Sequence, residues 1–173
     1  MNIVEITRAM KNELQNLIIR KPKEQDFDTV KILYTATYSL YHKNIPNDFK
    51  NPPKKSIPKG TFLSMIEDKE ALFLVAEYEK EVIGLVYATI EEDGGNDWTV
   101  KYKRVGIDEI SVLPSHSRKG VGTKLIKKVE DWAKKKKIKQ TALIVHDFNK
   151  SAISFYAKNN YAPYSIQMKK KIE

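Results

Sequence analysis

The chain has 173 residues, with 31 Lys and Arg against 22 Asp and Glu, a formal net charge of +9. That length suits a single domain with its own core, and the absence of cysteine excludes disulfides, thiolate metal sites and a cysteine nucleophile. No apolar run is long enough to span a membrane, His42, His116 and His146 lack metal-ligand spacing, and the surplus of positive charge favours anionic partners.

Ile3, Ile6, Met10 and Leu14 fall at helical spacing, so residues 3–15 are expected to form a short amphipathic helix. It would be a helical extension over 1–16, ahead of one domain at 17–173. Glu5, Arg8, Lys11 and Glu13 interrupt the stretch, which argues against a secretory leader and makes the cytoplasm the expected location. Leu17 to Arg20 reads as a strand ended near Pro22. Asp26 suits the N-cap of a helix over Phe27 to His42, with Val30, Leu33, Tyr34, Thr37 and Tyr41 along one side. Residues 43–58, with Pro46, Pro52, Pro53 and Pro58, read as a loop, and Gly60 to Glu67 as a short helix.

Ala71 to Tyr78 and Val82 to Ile90 flank Glu79-Lys80-Glu81 and predict a hairpin. Beyond the turn Asp93-Gly94-Gly95-Asn96, Val100 to Val112 forms one long strand in which Gly106 marks a bulge. Val121, Leu125, Ile126, Val129, Trp132 and Ala133 trace the apolar stripe of a helix reaching Lys137. Its terminal Lys134 to Lys137 complement the helix dipole. Thr141 to Val145 reads as a strand. Asn149 caps a helix carrying Ala152, Phe155 and Tyr156, which ends near Asn159-Asn160, and residues 161–172 supply one or two final strands. Central hairpins and a βαβ unit over 107–145 together predict an α+β fold, with a mixed, mostly antiparallel sheet flanked by helices.

The segment Val112-Leu113-Pro114-Ser115-His116-Ser117-Arg118-Lys119-Gly120-Val121-Gly122-Thr123 passes from strand through a basic loop and two glycines into a helix. A helix start exposes free amides and a partial positive charge. With Arg118 and Lys119 added, this is a cradle for phosphates. A plain turn and helix cap would produce the same local pattern. The dinucleotide fingerprint fails at Leu125, and no Gly-Lys-Ser/Thr triplet has the spacing of a P-loop.

Ile110-Ser111-Val112-Leu113-Pro114 followed by Ser117-Arg118-Lys119-Gly120-Val121-Gly122 resembles the signature of the GNAT superfamily of acetyl-CoA-dependent N-acetyltransferases. A second element also matches: Asn149-Lys150-Ser151-Ala152, then Phe155-Tyr156. Two departures stand out. Ser117 occupies the family's Gln/Arg position, leaving that contact to Arg118. Asn160 replaces the usual glycine, a mild change because Asn tolerates the left-handed conformation.

The resemblance implies acetyl-CoA as cosubstrate and no metal. Its pyrophosphate would rest on the amides of Arg118, Lys119, Gly120, Val121, Gly122 and Thr123. The pantetheine arm would pair with the backbone of Ile110, Ser111 and Val112, where a parallel strand pair splays apart at the cofactor site. Asn149 would hydrogen-bond that arm or serve only as a helix cap. Tyr156 would be the acid beside the sulfur and Glu109 the base, with His146 and Asp108 as alternatives. The backbone N–H of Val112 is a candidate oxyanion donor. The implied reaction is direct attack by a primary amine in a ternary complex; the alternative is a catalytically silent acyl-CoA-binding sensor or scaffold. The acceptor side would span Phe27 to Glu67, with Tyr34, Tyr38 and Tyr41. Neither a membrane nor nucleic acid is expected as a partner. The N-terminal helix could pack on a second copy, so a homodimer is one possible assembly.

Overall fold

Three segments rich in β-branched and aromatic residues build the centre of the sheet. They are Leu72–Tyr78 (β2), Glu81–Asp93 (β3) and Tyr102–Val112 (β4), paired antiparallel in sequence order. Ile18–Arg20 (β1) adds antiparallel to β2, and Thr141–Ala142 (β5) adds parallel to β4, giving the order β1-β2-β3-β4-β5. The computed structural model describes residues 15–51 and 57–172; the helix expected over 3–15, and Pro52 and Pro53, lie outside them. The β2–β3 turn is tight because Glu79 and Lys80 both take left-handed backbone conformations, φ 51° and 69°, which matches the twist of a two-residue hairpin.

Helices cover both faces. Phe27–Asn44 (α1) and Lys59–Glu67 (α2) pack on one, where Val30, Leu33, Tyr34 and Phe62 meet Phe73, Val75, Val82 and Leu85 of the sheet. Val121–Lys135 (α3) packs on the other, with Leu125, Ile126 and Val129 against Ala76, Val86, Val105 and Ile107. Lys150–Lys158 (α4) adds Phe155 and Tyr156 to the margin of that second core. The fold is therefore the expected α+β architecture, with one parallel pair at its edge.

Four local expectations change. The bulge in β4 is not at Gly106. Tyr87 faces Glu109 and Ala88 faces Ile107, so Asp108 is the extra residue. Its effect is a switch of parity: Val105 and Ile107 face α3, and after the bulge Ile110 and Val112 face it instead. Asp26 is the N-cap residue of α1 as expected, but its side chain makes no capping bond to the helix. Its buried carboxylate accepts from Arg20 at 2.7 Å and from the Lys23 amide at 2.6 Å, while Arg20 also grips Glu77 of β2 at 2.6 Å. Burial pushes the Asp26 carboxyl up, but these donors outweigh it and hold it below the ordinary carboxylate range. β5 stops at Ala142 rather than Val145. Residues 162–172 form no strand; they are exposed and make no backbone hydrogen bond among the described residues. Their apolar alternation supplies strand propensity, which pairing with a neighbouring strand would have to fix.

Candidate active site

β4 ends where Pro114 begins a single 3-10 turn to His116, and the Leu113 amide ties that end to the Ile83 carbonyl at 2.8 Å. The chain then enters α3 through two left-handed residues, Arg118 with φ 62° and Gly120 with φ 81°. Gly120 is the N-cap and no side chain caps the helix. The first amide to find a helical carbonyl is that of Lys124, bonded to Gly120 at 3.1 Å. The amides of Val121, Gly122 and Thr123 are thus left facing outward at the positive end of the helix dipole. Arg118 has no ion-pair or hydrogen-bond partner among the described residues. Ser117 donates a long 3.4 Å bond to the Leu113 carbonyl.

The two glycines answer to different constraints. At Gly120 the backbone conformation itself favours glycine. At Gly122 a Cβ would sit 2.9 Å from the Phe155 ring, so the missing side chain lets α3 approach α4. The space at Gly122 is filled by the protein.

β4 and β5 pair only at Val105 with Thr141 and Gly106 with Ala142. Beyond them the edge of β4 that faces away from β3 has no strand beside it among the described residues. Ile110, Ser111 and Val112 lie on this open stretch, each paired to β3 on the other side. Asn149 stands at the start of α4. Its Oδ1 accepts from the Ala152 amide at 3.2 Å and from Ser151 Oγ at 3.1 Å. The capping role is thereby present, and Nδ2 keeps its hydrogens available.

The Asp108 bulge places Glu109 on the α1 side of the sheet. There its Oε1 accepts from Thr37 Oγ1 at 2.8 Å. Burial pushes the Glu109 carboxyl up to about 7, with the Thr37 bond opposing. Burial, and then the charge of Glu109, raise the phenols of Tyr34 and Tyr38, and the same two causes raise Tyr41. Tyr156 is raised by burial first, then by Tyr41 and Glu109. Tyr156 packs on the α3-side core, yet it feels two residues of the opposite layer. The gap left where β5 ends is what lets the layers meet. Asp108 accepts from Thr89 at 2.9 Å, and burial raises its carboxyl.

His146 lies in an aromatic cluster. Its ring is 5.2 Å from Tyr41, 5.6 Å from Phe49 and stacked at 5.8 Å on Phe148. Thr37, Phe49 and Phe148 were not among the sequence candidates for chemistry. Thr37 carried a signal, being a hydroxyl on the apolar side of α1; Phe49 and Phe148 lie in segments whose loops converge only in the folded chain.

An antiparallel sheet with one short parallel pair that opens beside an uncapped, basic helix start defines an acetyltransferase domain. The chain belongs to the acetyltransferase (GNAT) family, whose family model matches residues 34–161. It is 41% identical over 59 residues to the mouse (Mus musculus) thialysine N-epsilon-acetyltransferase, covering 34% of either chain. The chain spans a quarter to about a third of the length of the curated relatives it matches. In fold it is similar to a mutant form of the BH1408 protein of Bacillus halodurans, with TM-score 0.86 at 19% identity over 90% of this chain and 99% of that one. It is also similar to the PaiA N-acetyltransferase of Thermoplasma acidophilum in complex with coenzyme A, with TM-score 0.67 at 23% identity over 83% and 87% of the two chains. No helix among the described residues is long and apolar enough to cross a membrane, and no group of three or more of their His, Asp and Glu residues is arranged to hold a metal ion.

Proposed function

We propose that this protein moves an acetyl group from acetyl-CoA to a primary amine by direct attack in a ternary complex. The observation that carries the reading is Glu109, desolvated and bonded to Thr37 on the open stretch of β4, with Tyr156 near enough to feel its charge.

The donor set suits acetyl-CoA. Three outward amides at the α3 N-terminus, flanked by Arg118 and Lys119, match a diphosphate in charge and hydrogen-bonding sense. The open backbone of Ile110, Ser111 and Val112 suits the amide groups of a pantetheine arm, in the manner of an added strand. Asn149 Nδ2 is a further donor toward that arm. When bound, acetyl-CoA supplies the thioester carbon that the amine attacks.

The remaining chemistry belongs to the chain. An amine arrives mainly as an ammonium, since its pKa is near 10. Glu109, pushed up to about 7, accepts the proton at neutral pH far better than an ordinary glutamate. Thr37 fixes the carboxylate for that task. The Val112 amide would donate to the oxyanion. Glu109 takes one proton from the ammonium; the free amine then attacks, the C–N bond forms and the C–S bond breaks, and the nitrogen's second proton goes to the departing thiolate, which needs a hydrogen-bond donor while it leaves. Tyr156 stays protonated because its phenol is raised, so it serves that thiolate mainly as a hydrogen-bond donor.

Tyr156→Phe tests the assignment. Turnover, followed as thiol released from acetyl-CoA, should fall about 10–100-fold, with acetyl-CoA affinity by calorimetry unchanged. Unaltered turnover would return Tyr156 to a packing role. Affinity lost together with turnover would point to a structural one.

A further inference from the structure

Five rings from three separate segments converge on the α1 side of the site. Tyr38 and Tyr41 come from α1, Phe49 from the loop after it, and His146 and Phe148 from the segment after β5. Tyr41 and Phe49 lie 4.9 Å apart, and Tyr41 meets Phe148 edge-on at 5.8 Å. Tyr38 closes the group at 6.4 Å from both Tyr41 and Phe49. The loop is fastened to the helix: His42 Nδ1 donates to the Phe49 carbonyl at 2.8 Å, and the Phe49 amide bonds the Ile45 carbonyl at 3.1 Å. Tyr41, Phe49, His146 and Phe148 are half-buried and Tyr38 is exposed, so the cluster presents a fixed aromatic surface to solvent.

The carboxylates at the reacting end of this surface are on β4, and cations at its rim are held in ion pairs, Lys150 with Asp147 among them. Glu109 is near enough to raise Tyr38 and Tyr41, and Asp108 precedes it on the same bulge. The cation–ring contacts of Lys31 on Phe27 and Arg104 on Tyr102 lie outside the cluster. At the rim Lys169 is paired with Asp48. An anionic group carried next to the reacting nitrogen would meet the carboxylates of Glu109 and Asp108, while an ammonium on an apolar arm finds both carboxylates and rings.

We infer that the acceptor is a primary amine on an apolar arm with no carboxylate beside the amine, and that Tyr38, Tyr41, Phe49, His146 and Phe148 form the wall that holds the arm. This rests on the acetyl-transfer reading above. The molecule's overall charge of +9 would suggest the opposite, an acidic acceptor; the local charge decides because screening confines the field to short range.

Phenethylamine and phenylalanine share one arm and differ only in the carboxylate. With saturating acetyl-CoA, kcat/KM for phenethylamine should exceed that for phenylalanine about 100-fold. Phe49→Leu and Tyr41→Ala should each raise the KM for phenethylamine about tenfold, leaving kcat within about twofold and acetyl-CoA affinity unchanged. Equal or better use of phenylalanine overturns the inference, as does an unmoved KM in both ring variants. Turnover of neither amine counts against the transfer reading itself. In that case calorimetric binding of the same pair to the protein saturated with coenzyme A decides the acceptor class: preference for phenethylamine upholds it, and no preference overturns it.

Discussion

Glu109 sits where an ionised carboxylate is disfavoured, and that has a consequence for stability separate from its chemistry. Its value rises from an ordinary 4.5 to about 7 on folding, so the folded protein holds the proton more tightly than the unfolded chain. Stability is then lost as pH climbs through that interval, and the penalty is complete above it. Glu109→Gln removes the penalty and keeps a partner for Thr37. At pH 8 the variant should be more stable to urea by up to about 3 kcal/mol, with no difference near pH 4. Equal stability at both would mean that Glu109 is not desolvated as described. Thr37→Val removes the one interaction that lowers this carboxyl, so the midpoint of the kcat/KM–pH profile should shift upward. A midpoint that stays in place would detach Thr37 from the base. At Gly122 the steric demand is equally specific: Gly122→Ala drives a methyl into Phe155 and should cost about 1–3 kcal/mol, measured by thermal unfolding.

At the scale of elements, the Asp108 bulge is the device that aims Glu109. Deleting Asp108 removes the extra residue and joins Ile107 directly to Glu109, so Glu109 should stay on the α1 side opposite Tyr87, Ile110 and Val112 should stay in the α3-side core, and activity should be retained. Lost activity in the folded deletion variant would show that the face given to Glu109 is not what the bulge provides. The sequence contained this feature in a form that is easy to misread. Apolar residues at 105 and 107 and then at 110 and 112 show the slip of one position, whereas Gly106 drew attention to the wrong place. Helices were more legible: the stripe from Val121 to Ala133 marks α3 closely, because a 3.6-residue period is set locally. Asp26 looked like a helix cap because Asp favours that position; its tie to Arg20 depends on β2, whose Glu77 lies 57 positions along the chain from Arg20. The same holds for the site. The motif residues of the α3 start were readable from spacing, while Thr37 and the aromatic wall depend on α1 crossing the sheet beside β4.

At the scale of the whole molecule, the proposed function implies a division of charge. Arg118, Lys119 and Lys124 stand at the α3 start, and Asp108 and Glu109 stand on the acceptor side. The KM for acetyl-CoA should therefore rise with added salt more steeply than the KM for the amine; parallel slopes would deny this division. The tail contributes little to the fold. Tyr164, Ile166 and Met168 are 90%, 86% and 89% exposed. Removing residues 162–172 should move Tm by less than about 2 °C, and a larger loss would mean the tail is packed in solution.

The most direct test follows free thiol from acetyl-CoA with a set of primary amines, comparing wild type with Glu109→Gln between about pH 5 and about pH 9. The wild-type rate should climb through a midpoint near 7, and the variant should be slower by about 100-fold or more without that limb. Full activity in the variant with an unchanged pH profile would contradict the assignment of Glu109 as the base that takes the amine's proton.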